Sequence, residues 1–126
     1  MPRISVLGCG RIGRMHADNI AAHPQATLAG VFDTHAPFAA EIAEKHGVTN
    51  FASAEEAINS DNVDAILIAT PTSTHVEFLE ACVKAGKAVL CEKPIDLSLE
   101  RVNALAKRIE GTKVPIMLGF VRRFDP

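Results

Sequence analysis

The sequence predicts an α/β chain folded as a doubly wound parallel sheet. Three observations lead there. Short apolar runs alternate without break with helical stretches along most of the chain. The turn Gly8-Cys9-Gly10-Arg11-Ile12-Gly13 directly follows the first apolar run, 4–7, and directly opens a helical stretch, 11–22. Asp33 ends the second apolar run about 20 residues beyond Gly13, the separation found between the glycine turn and the acid of a dinucleotide-binding βαβ unit. Strands alternating with helices require right-handed crossovers and a sheet covered on both faces, with the expected strand order 3-2-1-4-5-6.

Each element has a local cause. After helix 11–22, Pro24 marks the turn into strand 27–33. A second helix covers 37–46 and stops at Gly47, a residue suited to the left-handed position after a helix. A short strand follows at 48–51. Ser53-Ala54-Glu55-Glu56 is a capping box that opens a helix to about 58. Strand 63–69 is apolar apart from Asp64, as a strand buried on both faces should be. The loop 70–74 feeds a helix that reaches Ala85 and stops at Gly86. Strand 89–91, a helix over 99–109 capped by Ser98, and strand 115–120 complete the pattern. Residues 1–120 therefore read as one domain, a Rossmann fold. Residues 121–126 read as the start of a connection to a second, substrate domain, because Arg122-Arg123-Phe124-Asp125-Pro126 has nothing within the chain to pack on. Apolar surface is expected around Ile116, Leu118, Phe120 and Phe124, where that domain would dock.

Composition narrows the function. At 126 residues, 48% apolar and 22% charged, the chain has the balance of a globular domain. A net charge of −2 and a pI near 6.2 argue against nucleic acid or an anionic membrane as partner. No apolar run approaches the roughly 20 residues of a membrane span. The start has neither the length nor the cleavage site of a signal peptide. Cys9, Cys82 and Cys91 are odd in number and lack metal-ligand spacing, so reduced thiols, no metal and a cytoplasmic location are expected. Cys9 reads as a small filler at the variable position of the glycine turn rather than a redox group.

The glycine turn is the expected phosphate site. Gly8 permits the tight turn, Gly10 lets a pyrophosphate approach the backbone, and Gly13 lets the helix pack closely. The N–H groups at the helix start, with Arg11 and Ile12 among them, offer donors to an anion. The Arg11 side chain either reaches the pyrophosphate or points to solvent. A carboxylate at Asp33 accepts hydrogen bonds from ribose hydroxyls and repels a 2′-phosphate. Thr34 and His35 supply no arginine to neutralise one, so the cofactor expected is NAD rather than NADP. Asp33 as a turn or cap residue is the plainer alternative.

Two further loops leave the carboxyl ends of strands on the same rim. Ala69, Thr70, Pro71, Thr72 and His75 lie at the sheet reversal, where open α/β sheets bind ligands, and are expected to line the nicotinamide half of the cofactor. Ser73 or Thr74 would also cap the following helix. His75 and His16 read equally as packing or capping histidines. His23, His35 and His46 read as surface or helix-end residues. In Glu92-Lys93-Pro94 the proline holds Lys93 extended. Its ammonium would lie near an oxidised, cationic nicotinamide, which lowers a lysine pKa toward a range useful for proton transfer.

Taken in order, the glycine turn with His16, the 69–75 loop, Glu92-Lys93-Pro94 and the Gly119–Pro126 tail resemble the N-terminal domain of the glucose–fructose oxidoreductase and inositol dehydrogenase family. The tail and Cys91-Glu92-Lys93-Pro94-Ile95 are most similar to its inositol dehydrogenase branch. The resemblance implies a two-domain, NAD(P)-dependent, homo-oligomeric enzyme that oxidises a hydroxyl of a polyol or sugar. It implies that Lys93 lies beside the reacting hydroxyl as the catalytic lysine, that Glu92 lines the cofactor site and that Arg122 faces substrate. It also implies a catalytic Asp and His contributed by the second domain, which have no counterpart here. The chain alone is therefore expected to bind NAD without turning over substrate. A free-standing NAD-binding sensor and a methyltransferase are the alternatives; neither needs Lys93 at that rim.

Overall fold

Among the described residues, ten elements carry the fold: β1 (Arg3–Leu7), α1 (Arg11–Ala22), β2 (Thr27–Phe32), α2 (Ala36–His46), β3 (Thr49–Asn50), α3 (Ala54–Asn59), β4 (Ala65–Ile68), α4 (His75–Lys84), β5 (Ala88–Cys91) and β6 (Ile116–Leu118). The computed structural model describes residues 2–70 and 74–91, Glu100, Ala104 and Lys107, and the strand Ile116–Leu118. The side chains of His75, Cys91 and 116–118 lie outside that description. So do the expected helix over 99–109 as a whole, its cap Ser98, and the 119–126 tail.

The strands form one sheet in the order β3-β2-β1-β4-β5-β6, every neighbouring pair parallel. This is the order expected from the sequence, and its reversal falls between β1 and β4. Period-two alternation divides the core between the faces. Val6, Leu28, Val31 and Leu67 pack with Ala17 and Ile20 of α1 and Ile42 of α2. Leu7, Ile66 and Ile68 pack on the other face with Ile58 of α3 and Leu79 of α4. Neighbours in β4 thus enter opposite clusters, which is why that strand reads as an unbroken apolar run. Burying each of these Val, Leu and Ile side chains contributes about 1.5–3 kcal/mol.

The helix ends follow their expected chemistry. Ser53 Oγ accepts the Glu56 N–H at 3.1 Å and caps α3. Gly47 takes a left-handed φ of 64°, and the Val48 N–H then reaches back to the Ala43 carbonyl at 3.0 Å. Lys87, after Gly86, makes the same return to Cys82 at 2.9 Å.

Several local features differ from the expectation or add to it. β3 is only Thr49–Asn50, and β2 ends at Phe32, so Asp33 lies just past the strand. Asp64 stands ahead of β4, which begins at Ala65, because its carboxylate leaves the sheet edge to clasp Arg3. Asp64 accepts the Arg3 backbone N–H at 2.8 Å and two guanidinium bonds at 2.9 and 3.0 Å. The register of β1 on β2 slips between Ile4 and Ser5, leaving Ala29 as an extra residue before Gly30. Gly30 then lets Phe51 lie on β2: a Cβ there would run into the Phe51 ring and stand 2.8 Å from the Thr49 carbonyl oxygen.

The carboxyls of Asp64, Asp18 and Glu41 are each held below their ordinary range, chiefly by hydrogen bonds from Arg3, His46 and Arg14 respectively. A depressed folded pKa means the folded chain binds the proton more weakly than the unfolded chain does. The stabilisation is therefore complete above the unfolded carboxylate range, about pH 4, and is lost as pH falls through the folded values. The melting temperature should fall between pH 5 and pH 2.5. Asp64→Asn should melt lower at pH 7 yet show a shallower fall with acid. Parallel melting curves for the two proteins across that range would show that Asp64 contributes nothing to the acid response.

Candidate functional site

The crevice at the carboxyl ends of β1, β2 and β4 begins with a backbone contact that only glycine allows. Gly8 has φ 98°, and a Cβ on it would stand 2.6 Å from both the carbonyl carbon and oxygen of Ala69. The turn after β1 therefore lies directly against the end of β4. Main-chain bonds hold it there: the Gly8 N–H to the Phe32 carbonyl at 2.7 Å, and the Ala69 N–H to the Leu7 carbonyl at 2.8 Å. Gly13 has a related part. A Cβ on it would overlap the Gly8 carbonyl oxygen, so its close approach is to the turn itself, with the Ala69 Cβ at 3.5 Å behind. Gly10 is the opposite case. A Cβ there would meet nothing within 4 Å, so the space above it is open.

That open space lies at the start of α1. Gly10 is the N-cap residue, no side chain caps the helix, and its first turn carries no acid. The first intrahelical bond runs from the Arg14 N–H to the Gly10 carbonyl at 2.8 Å. The N–H groups of Arg11, Ile12 and Gly13 precede that bond, at the positive end of the helix dipole. Arg11 and Ile12 are both exposed, and Arg11 makes no ion pair among the described residues.

Asp33 closes the other side of the turn. Its Oδ2 accepts the Cys9 N–H at 2.6 Å and its Oδ1 accepts the His35 N–H at 2.6 Å. The plainer reading of Asp33, a turn residue, is realised in this geometry. It forms an Asx-type turn into α2 and ties the glycine turn to the end of β2, while each oxygen keeps acceptor capacity for a further donor. Cys9 is 1% exposed, with Sγ 3.7 Å from the Phe32 carbonyl oxygen. Burial and the neighbouring Asp33 charge push its thiol up to about 11, so it is a neutral filler.

Gly8, Gly10, Asp33, Thr34, Ala69 and Thr70 line a crevice of about 400 Å³, together with Phe32, Phe38, Thr74 and Phe78. Of the expected site residues, the structure brings Gly8, Gly10, Asp33, Ala69 and Thr70 together here, with Arg11, Ile12 and Gly13 in the adjoining helix start. Pro71, Thr72, Glu92, Lys93 and Arg122, and the His75 side chain, lie outside the described residues. Of the two candidate caps of α4, Thr74 makes no side-chain cap bond and Ser73 lies outside the described residues. The Thr74 hydroxyl pairs with that of Thr70 at 2.6 Å and closes the loop across its base.

The aromatic walls were not expected from the sequence. Phe38 is 40% exposed in the first turn of α2 and sets its ring edge-on to His35, with centroids 4.2 Å apart. An exposed aromatic shortly after the acid of strand two was the available signal. A polar ladder between α1 and α2 places that turn. Arg14 forms a double hydrogen bond to Glu41 at 2.8 and 3.2 Å, and one turn on Asp18 Oδ1 meets His46 Nε2 at 2.7 Å and Lys45 Nζ at 3.2 Å. His46, expected to be a helix-end surface residue, is thus half of an interhelix clip. An uncapped helix start, open space over Gly10 and a fixed carboxylate at the rim together suit an anionic dinucleotide.

Comparisons with known proteins agree with that geometry. The family model described as the oxidoreductase family, NAD-binding Rossmann fold, matches residues 2–120. Inositol 2-dehydrogenase of Rhizobium meliloti (strain 1021) is 44% identical over 126 residues, covering 98% of this chain and 37% of its own length. A myo-inositol dehydrogenase structure from Corynebacterium glutamicum ATCC 13032 superposes with a TM-score of 0.93 at 44% identity, over 100% of this chain and 38% of that one. The scyllo-inositol dehydrogenase of Lactobacillus casei, solved with bound NAD(H) and scyllo-inositol, superposes with a TM-score of 0.92 at 31% identity, over 99% of this chain and 38% of that one. The chain thus spans well under half the length of the relatives it matches.

Gly10→Val should abolish NAD binding and leave a folded domain, since the new side chain enters open space rather than the core. Calorimetric titration and circular dichroism check the two halves. Unchanged affinity in the variant would remove the glycine turn as the phosphate site.

Proposed function

Because this chain belongs to the oxidoreductase family with the NAD-binding Rossmann fold, we propose that it is the cofactor half of an NAD-dependent dehydrogenase acting on inositol or a related polyol or sugar. The observation that carries the reading is the uncapped start of α1, open above Gly10 and faced by Asp33, in a chain that matches inositol dehydrogenases from end to end. Bound NAD supplies the hydride acceptor. The N–H groups of residues 11–13 and the helix dipole hold the pyrophosphate. Asp33 accepts the adenosine ribose hydroxyls and disfavours a 2′-phosphate, so NAD is preferred to NADP. Ala69, Thr70, Pro71, Thr72 and His75 flank the nicotinamide side, and Glu92 lies beside them.

Lys93 takes the proton of the reacting hydroxyl, and Arg122 orients the substrate ring. Residues 1–120 form the nucleotide domain, and 121–126 lead into a second domain that supplies the remaining catalytic groups and most of the substrate pocket. The coverage of the relatives supports this division, since they run well beyond the matched part. The enzyme acts in the cytoplasm as a homo-oligomer. The buried thiols of Cys9 and Cys82 form no disulfide, which suits a reducing compartment, and among the described residues no helix is long and apolar enough to cross a membrane.

The polypeptide extended through its downstream reading frame should reduce NAD in the presence of an inositol, followed by absorbance of the reduced cofactor. Lys93→Ala should lower kcat by roughly 10²–10⁴-fold, the usual span for loss of a general base. The 126-residue chain alone should bind NAD without turnover. Asp33→Asn, which keeps an acceptor but removes the charge, should narrow the preference for NAD over NADP. An extended protein that binds NAD yet oxidises no polyol or sugar would overturn the substrate reading. An NADP preference in the parent chain would overturn the role of Asp33.

A further inference from the structure

His35 is tied to the crevice through its backbone, while its ring stands uncommitted at the rim. Its N–H donates to Asp33 Oδ1 at 2.6 Å, so the imidazole hangs from the residue that braces the carboxylate. The ring lies against Phe38, with centroids 4.2 Å apart and planes inclined by 60°. Phe38 lines the crevice beside Asp33 and Thr34, and Thr34 and His35 are both exposed. Among the described residues the His35 ring makes no hydrogen bond or ion pair. Two other histidines differ in this. His46 Nε2 meets Asp18 at 2.7 Å, and His23 Nδ1 accepts the Gln25 N–H at 3.0 Å.

The placement bears on the one group that separates NADP from NAD, a phosphate on the adenosine 2′-oxygen. Asp33 repels that phosphate, and a cation beside the acid reverses the balance, as an arginine does in folds that bind NADP. Histidine is the side chain whose ordinary charge change falls between pH 5 and pH 8. With a neutral imidazole the rim carries the single negative charge of Asp33; with an imidazolium that charge is cancelled. Phe38 keeps the ring in place in either state, since an aromatic face holds a ring edge and a cation alike. Charged and titratable groups on the surrounding elements leave this task to His35. Arg14 of α1 is paired with Glu41 of α2 at 2.8 Å, the Cys9 thiol is neutral, and Arg11 stands at the helix start on the pyrophosphate side. Glu77 is exposed on α4, which reaches the crevice through Phe78. His75 opens α4 and its side chain lies outside the described residues, so a control must be made at His35 itself.

We propose that His35 is a specificity-determining residue: its protonation admits a 2′-phosphate that Asp33 otherwise excludes, so the preference for NAD over NADP weakens as pH falls. The proposal rests on the crevice holding NAD and adds to that reading what tunes the choice of cofactor. Linkage makes the effect reciprocal. The factor by which protonation strengthens NADP binding is the factor by which bound NADP favours protonation.

Calorimetric titration of the 126-residue chain with NAD and with NADP, from about pH 8 to about pH 5.5, reads the ratio of the two dissociation constants across the histidine range. The excess of the NADP constant over the NAD constant should shrink roughly tenfold over that span, an ordinary size for coupling between two binding events. The 2′-phosphate itself takes up a proton near pH 6, so His35→Gln is measured alongside, and its ratio should change by less than about threefold. Melting curves establish that the variant is folded. The parent chain gives a second reading that needs no variant to bind. Its His35 imidazole proton signals should titrate about one pH unit higher with NADP bound than with NAD bound. The same change of ratio in both proteins would overturn the proposal while leaving NAD binding intact. So would a His35 titration that is the same in the two complexes. A parent chain that binds no NAD would overturn the cofactor reading and this proposal with it.

Discussion

The crevice depends on how near the backbone after β1 can come to the backbone ending β4. Any side chain at Gly8 would force those segments apart, since its Cβ would stand 2.6 Å from the Ala69 carbonyl. With the contact in place, the first turn of α1 lies against the same spot through Gly13, and the helix start opens beside the sheet reversal. A side chain at either glycine would change the distance between the donors of residues 11–13 and the 69–74 loop. The site is therefore set by the absence of atoms at two positions and open space over a third.

Asp33 works from the other side of that turn. By accepting from both Cys9 and His35 it links the end of β2, the glycine turn and the start of α2 into one rigid rim. The ladder Arg14–Glu41 and Asp18–Lys45/His46 then holds α2 against α1 from below. Exposed pairs of this kind contribute little to stability singly. Their effect here is positional, because Phe38 and His35 sit at the end of the helix they restrain.

Most of the architecture was legible in the sequence because each element is locally consistent with the whole. The strand order, the bounds of α1, the Ser53 cap and the stops at Gly47 and Gly86 all follow from period, turn residues and crossover handedness. What the sequence did not disclose depends on contacts between distant residues. Asp64 looked like a polar interruption in a strand, and only the position of Arg3 explains why it sits ahead of one. Gly30 carries no local signal, since its reason is the Phe51 ring from the next crossover. Within the site, the glycines and Asp33 were visible as a spaced motif. The Phe38 and Phe78 walls were not, because an aromatic on a helix reads first as core. The pairing of Thr74 with Thr70 instead of its own helix start is likewise a choice made by the fold.

The central claim is that NAD is held at the glycine turn and the Asp33 rim. Backbone amide shifts of the isotopically labelled 126-residue chain, recorded during an NAD titration, test it most directly. The largest saturable changes are expected at Gly8, Cys9, Gly10, Arg11, Ile12, Gly13 and Asp33, with smaller ones at Phe38 and Thr70. Changes centred instead on Ile4, Ile20, Ala65 and Leu90, with the glycine turn unmoved, would contradict it.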